Sequence, residues 1–152
     1  MIQKIDHTDS STAKEIRNVF QRSYAVEAKL LKAKDFPPLK RSLISFKHSN
    51  TTFYSYVKND VIAGIIEINE KETFVHIQSL VVIPSCFRKG IGKELMNYVL
   101  SLYTSNFFMV ETGLANIPAI QLYKSLGFNE VKQWDTEIGI RKIRLEKSKN
   151  KL

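Results

Sequence analysis

Apolar positions along this chain first recur at helical intervals and later gather into short strand-like runs. Ile2 to Ile5 is long enough for a first strand. Ile16, Val19, Phe20 and Tyr24, continued by Val26, Leu30 and Leu31, predict a helix. Thr12 and Glu15 stand at capping-box spacing for its start. Pro37 and Pro38 cannot continue a helix, so it ends before them. Thr52 to Val57, Val61 to Ile68 and Thr73 to Ile83 predict three strands, the last rich in β-branched residues. Turns at Asn59–Asp60 and Asn69–Lys71 join them into an antiparallel meander.

Beyond Pro84 the order changes to loop, helix, strand, helix. Gly90-Ile91-Gly92 opens a helix whose apolar face is Ile91, Leu95, Val99 and Leu102. Phe107 to Thr112 is a strand. A second helix runs from about Pro118 to Leu126, with a proline in its first turn and Gly127 as its stop. Phe128 to Trp134 and Ile138 to Glu146 are the closing strands. The reading is one mixed α/β domain over residues 1–147, followed by a basic tail, 148–152.

Composition narrows this picture without redirecting it. The chain has 152 residues, enough for one core, and its 43% apolar share is that of a globular domain. No run approaches the roughly 18 apolar residues of a membrane span, and Met1 to Ser10 lacks the apolar stretch of a secretory signal. Cys86 is the single cysteine, so no internal disulfide can form and a cytoplasmic setting is expected. The formal net charge of +8 fits a solvated basic surface or a polyanionic ligand. Nucleic acid is disfavoured, because the basic residues are scattered apart from the Arg141–Lys151 stretch and no recognition motif is present.

Two segments carry candidate chemistry. Leu80 to Leu95, LVVIPSCFRKGIGKEL, is a strand, a loop with two glycines, and a helix. Glycines let the backbone approach an anion, and helix N-terminal N–H groups point at it. Arg88, Lys89 and Lys93 add full charges. A plain glycine turn before a core helix is the alternative. The spacing is neither the P-loop nor the dinucleotide fingerprint. Asn116 to Phe128, NIPAIQLYKSLGF, places Ala119, Leu122 and Tyr123 on adjoining parts of one helix surface, where an extended ligand or simply the core would pack.

Together the two segments resemble the GNAT (Gcn5-related N-acetyltransferase) superfamily. Val82-Ile83-Pro84 and Gly90-Ile91-Gly92 match its acetyl-CoA motif, and Asn116, Ala119, Leu122, Tyr123, Gly127 and Phe128 match the motif that follows. The clear resemblance covers about Val61 to Phe128. It departs at Phe87, which stands where the family has Arg or Gln. The resemblance implies the GNAT fold, a central, mostly antiparallel twisted sheet flanked by helices. It also implies direct transfer of an acetyl group from acetyl-CoA to an amine, with no metal; a CoA-binding regulatory module on the same fold is the competing reading. The implied cofactor-binding residues are Leu80, Val81, Val82, Phe87, Arg88, Lys89, Gly90, Ile91, Gly92, Lys93, Asn116, Ala119 and Tyr123.

By the same resemblance, Tyr123 is the acid that protonates the departing sulfur. His76, two pleats before Leu80, is a candidate base, with Glu67 at the end of the neighbouring strand as the alternative and Glu111 a weaker one. A water without a protein base is a further option. Acceptor recognition falls to the first helical region, with Tyr24, Glu27, Asp35 and Phe36 as candidates beside Pro37 and Pro38. Acidic side chains there suit a cationic amine; equally, they are ordinary helix-face charges. Cys86 reads as incidental, since no nearby base is evident to activate it. Family members often form homodimers, and Trp134 to Arg144 is the edge region that would pair.

Overall fold

In the computed structural model, which describes residues 1–148, one seven-stranded sheet organises the chain. β1 (Ile2–Ile5) leads into α1 (Ser10–Leu30), a 3-10 turn at Pro37–Lys40 and a short α2 (Leu43–Lys47). β2 (Thr52–Lys58), β3 (Val61–Glu70) and β4 (Val75–Val82) form the expected meander. A second 3-10 turn, Pro84–Cys86, precedes α3 (Ile91–Leu102). β5 (Phe107–Gly113), α4 (Ile117–Ser125), β6 (Asn129–Asp135) and β7 (Arg141–Ser148) complete the order. In space the strands run β1-β2-β3-β4-β5-β7-β6. Every neighbouring pair is antiparallel except β4 and β5.

Local chemistry explains where the elements start and stop. α1 is capped by Asp9, whose carboxylate accepts from the Thr12 amide, so the helix begins before the expected Thr12–Glu15 box. Asn59 and Asp60 both take positive φ, the turn geometry that Asn and Asp tolerate best. β3 runs through Glu70, so Glu67 lies inside that strand and not at its end. Ser148 closes β7; the rest of the expected tail, residues 149–152, lies outside the described residues.

The two sheet faces carry different helices. A Cβ placed on Gly64 would stand 2.9 Å from Ile91 Cγ2 and 3.1 Å from Leu95 Cδ1, so even positions of β3 face α3. Odd positions, Ile65 and Glu67, face α1 and the segment after it, where Arg41 reaches Glu67. On that side Ala13, Ile16, Val19 and Phe20 bury the inner stripe of α1. Phe20 meets Phe46 edge-on at 4.9 Å between centroids and also contacts Phe53, which anchors α1 and α2 to the meander.

Candidate active site

The site begins where the parallel pair fails. β4 and β5 are laddered only from Val75–Ile77 to Phe108–Val110, although both strands continue. The edge of β4 beyond Ile77 therefore has no strand partner on that side. Ile83 donates its amide to Ala63, which fixes Val81 and Ser79 as the residues bonded to β3. Leu80 and Val82 then present their amides to the open edge. The Val82 amide meets Ser23 Oγ at 3.3 Å. Val81, expected among the cofactor-binding residues, has a buried side chain and a backbone turned to β3, so it does not face the splay.

A groove of about 630 Å³ starts at this edge and runs to the head of α3. Leu80, Val82, Phe87, Arg88, Gly90, Ile91, Gly92, Lys93, Asn116, Ala119 and Tyr123 all line it; Lys89 does not. Gly90 is the N-cap of α3, with φ 78°, and no side chain caps this helix. A Cβ on Gly90 would point into open space, while one on Gly92 would sit 3.4 Å from Leu122. The first amides of α3 thus face an open cradle, flanked by Arg88 and Lys93 and closed from behind by α4. Uncapped helix amides with two cations suit a pyrophosphate, and the unpaired β4 edge suits an extended amide-bearing arm. The groove therefore fits acetyl-CoA. Phe87 lines it in place of the usual Arg or Gln.

A second cavity, about 650 Å³, opens on the other side of the splay. Phe20, Tyr24, Phe36, Pro37 and Pro38 form one apolar wall, and Ile138 and Ile140 of the β6–β7 turn form another. Tyr24, Glu27 and Phe36 line this cavity; Asp35 does not, its side chain being 83% exposed and paired with Lys40 at 3.6 Å. The two cavities share Glu27, Leu80, Asn116, Ala119 and Tyr123. Asn116 is held there by its own capping bond to the Ala119 amide and by donation to Thr112 Oγ1.

Burial sets the proton affinities at this junction. It raises the Tyr123 phenol well above its usual value, and repulsion from Glu27 and then Tyr24 raises it further. Tyr24 is raised in the same way, by burial and then by Glu27, with a hydrogen bond from Ser79 opposing. Burial pushes the Glu27 carboxyl up to about 7, while Lys142 pulls it down. Tyr123 consequently keeps its proton at neutral pH, and Glu27 sits near half-ionisation.

The two expected bases are placed elsewhere. Glu67 is fully buried in a network: Arg41 binds both its oxygens at 2.7 and 2.9 Å, Thr51 and Ser79 donate at 2.6 and 3.0 Å, and Gln78 at 3.3 Å. Its acceptor capacity is used, so it has no free position for a substrate proton. Arg41 itself stacks on Phe46 at 4.1 Å. His76 lines neither cavity. The register shifts between Glu67 and Ile68, making Gln78 an extra residue of a bulge. His76 therefore pairs with Asn69 and faces away from the side of Leu80, although the count along the chain puts both on one face. Burial lowers its affinity for a proton, with Glu111 opposing. Glu111 does line the second cavity, with Oε2 3.0 Å from Arg144 Nε.

Sequence reasoning missed Arg41, Gln78, Ser79, Lys142 and the β6–β7 turn as parts of this site. Arg41 follows a proline pair with no periodic signal. The turn, Thr136 to Ile140, reaches the cavity only because β7 inserts beside β5. Among the described residues no group of three or more His, Cys, Asp or Glu is placed to hold a metal ion, and no helix is long and apolar enough to cross a membrane.

The fold thus carries a splayed parallel pair, an uncapped glycine helix head at one mouth and an apolar, acid-bearing pocket at the other. The sequence model of the acetyltransferase (GNAT) family matches residues 13–128, and the chain belongs to that family. It is 30% identical over 134 residues to the UPF0157 protein YqkA of Bacillus subtilis (strain 168), covering 87% of this chain and 39% of that protein. It is 33% identical over 84 residues to an N-alpha-acetyltransferase of Sulfurisphaera tokodaii, covering 51% of this chain and 50% of that one. The chain thus spans half or less of the length of these curated relatives. The solved structure of yncA from Salmonella typhimurium with its cofactor acetyl-CoA superposes with a TM-score of 0.73 at 15% identity, over 100% of this chain and 95% of that one.

Proposed function

We propose that this chain is an N-acetyltransferase that moves the acetyl group of acetyl-CoA to a primary amine by direct attack. The observation that carries this reading is the meeting of the two cavities at Glu27, Leu80, Asn116, Ala119 and Tyr123. A thioester lying along the open edge of β4 and an amine entering from the other cavity would meet only there. The S. tokodaii relative is named an N-alpha-acetyltransferase, which supports the same chemistry here.

The residues divide the work as follows. The helix head at Gly90–Lys93, with Arg88, would hold the phosphates. The outward amide of Leu80 would polarise the thioester carbonyl, and that of Val82, once released from Ser23, would hold the arm. Tyr123, protonated at neutral pH, would give its proton to the departing sulfur. Removing such an acid costs on the order of 10²–10⁴ in rate. The acceptor would be an amine on a compact apolar or aromatic body, from a small molecule or a peptide. Aromatic and proline side chains line its cavity, and Arg41 and Glu111 are paired with Glu67 and Arg144. A single unbridged cysteine suits a reducing compartment, so we place the reaction in the cytoplasm.

The test is acetyl-CoA binding by calorimetry and thiol release across an amine panel, in wild type and Tyr123→Phe. Turnover of some amine in wild type, with a loss of at least tenfold in the variant at saturating acetyl-CoA, is expected. Tight binding with no turnover of any amine would favour a regulatory CoA-binding module. No binding would overturn the proposal.

A further inference from the structure

We infer that Glu27 is the general base of the transfer, taking the proton of the incoming amine at the junction of the two cavities. This rests on the N-acetyltransferase reading and adds to it the residue that makes the amine a nucleophile.

The placement comes from one helix serving two sites. Ser23, Val26, Glu27 and Leu30 form the stripe of α1 that lines the cofactor groove. Phe20, Tyr24, Glu27 and Leu31 form the stripe that lines the acceptor cavity. Among the described residues, Glu27 alone of α1 belongs to both stripes. An amine held in the apolar cavity and directed at the groove must pass this carboxylate. The other acidic or basic candidates are removed by their own surroundings. Glu67 has its oxygens occupied by Arg41, Thr51 and Ser79. Glu111 is bonded to Arg144. Glu137 lies exposed on the β6–β7 turn, and His76 lines neither cavity.

The groups around Glu27 make the role chemically consistent. Tyr24 stands beside it on its own helix, Tyr123 comes from α4 and Lys142 from β7. Glu111, Glu137 and Arg41 line the same acceptor cavity, and Arg88 and Lys93 the groove. Burial leaves the carboxyl near 7, where a base both accepts a proton readily and is available at neutral pH. The steps balance. The Glu27 carboxylate takes one proton from the ammonium, the neutral nitrogen bonds to the thioester carbon, and the carbon–sulfur bond breaks. The sulfur leaves with the Tyr123 proton. The nitrogen still carries one surplus proton after attack, and its loss to the Tyr123 phenolate restores the phenol; Glu27 returns its own proton to solvent. The proton gained by Glu27 also removes the negative charge that disfavours a Tyr123 phenolate, so the first transfer prepares the second.

The experiment compares two probes of nearly the same shape in wild type and Glu27→Gln. Phenethylamine is an ammonium at neutral pH and needs a base; O-benzylhydroxylamine is already neutral. Expected is a kcat/KM loss on the order of 10² for phenethylamine, with a loss below about fivefold for O-benzylhydroxylamine, both read at saturating acetyl-CoA. In parallel, carbon-13 NMR of glutamate-labelled protein should show one carboxyl titrating near 7 that disappears in Glu27→Gln. Equal losses on both probes would mean that Glu27 only shapes the pocket, and would overturn the proposal. So would retention of phenethylamine turnover within threefold. If wild type binds acetyl-CoA but acetylates no amine in the panel, the transferase reading itself fails; turnover by wild type with an indifferent Glu27 fails this inference alone.

Discussion

A carboxyl kept near 7 inside a fold lowers the stability of that fold, and Glu27 therefore makes a measurable prediction without any substrate. Below about pH 4.5 the group is protonated in both folded and unfolded chains and contributes no pH dependence. Between 4.5 and about 7 the unfolded chain has released the proton while the native state still holds it. The native state then binds more protons, so stability falls as pH rises through this window and stays low above it. A displacement from 4.5 to about 7 corresponds to about 3 kcal/mol at 1.36 kcal/mol per tenfold change in proton affinity. Glu27 is only partly buried by accessible surface and faces Lys142, so screening reduces this to about 1–2 kcal/mol. Glutamine has the same shape and never ionises. Glu27→Gln should thus match wild type near pH 4.5 and exceed it by about 1–2 kcal/mol at pH 8, or roughly 2–6 °C in Tm for a domain of this size. The assay is thermal and urea unfolding of both proteins across pH 4.5–8.5. Since all other titrating groups are common to the two chains, the difference curve isolates Glu27. A flat difference, or a variant less stable at pH 8, would show that Glu27 is not held in a desolvated position and would refute the reasoning.

Three further perturbations address the rest of the framework. Arg41→Ala leaves the fully buried Glu67 carboxylate without its guanidinium and should cost about 3–5 kcal/mol in urea unfolding, whereas Arg41→Met with Glu67→Met should recover most of that loss. Gly64→Ala forces a methyl against Ile91, Leu95 and the Val81 carbonyl, and should lower stability by about 1–3 kcal/mol in thermal unfolding; a neutral result would mean that α3 moves freely on β3. Replacing Arg88 and Lys93 together by Ala should weaken CoA binding by roughly five- to tenfold at about 0.1 M salt, with a smaller effect at higher salt in calorimetry. Unchanged affinity would assign phosphate binding to the backbone of α3 alone.

What the sequence disclosed and what it hid divide along a physical line. The meander, the glycine helix head and α4 were legible because each depends on local signals: β-branched runs, Gly90 and Gly92, Asn116 three residues before the amide it caps. The base was not legible, because it depends on register and on depth. Counting along β4 puts His76 on the side of Leu80, and only the bulge at Gln78 reverses it. Glu67 looked like a free strand-end carboxylate, and only the fold brings Arg41, Thr51 and Ser79 onto its oxygens. Glu27 was legible as a candidate for acceptor recognition or an ordinary helix-face charge, but not as a base. Its distinction is that the splay of β4 from β5 opens two cavities on adjoining stripes of α1, which cross at that one residue. Both the splay and the inserted β7 are properties of strand pairing across distant parts of the chain. The same pairing brings Lys142 to oppose the burial of Glu27, so the tuning of this carboxyl is a property of the assembled sheet. Lys142→Gln should accordingly raise the proton affinity of Glu27 further, seen as an upward shift of the Glu27 carboxyl titration in carbon-13 NMR, and an unchanged titration would show that Lys142 does not tune it.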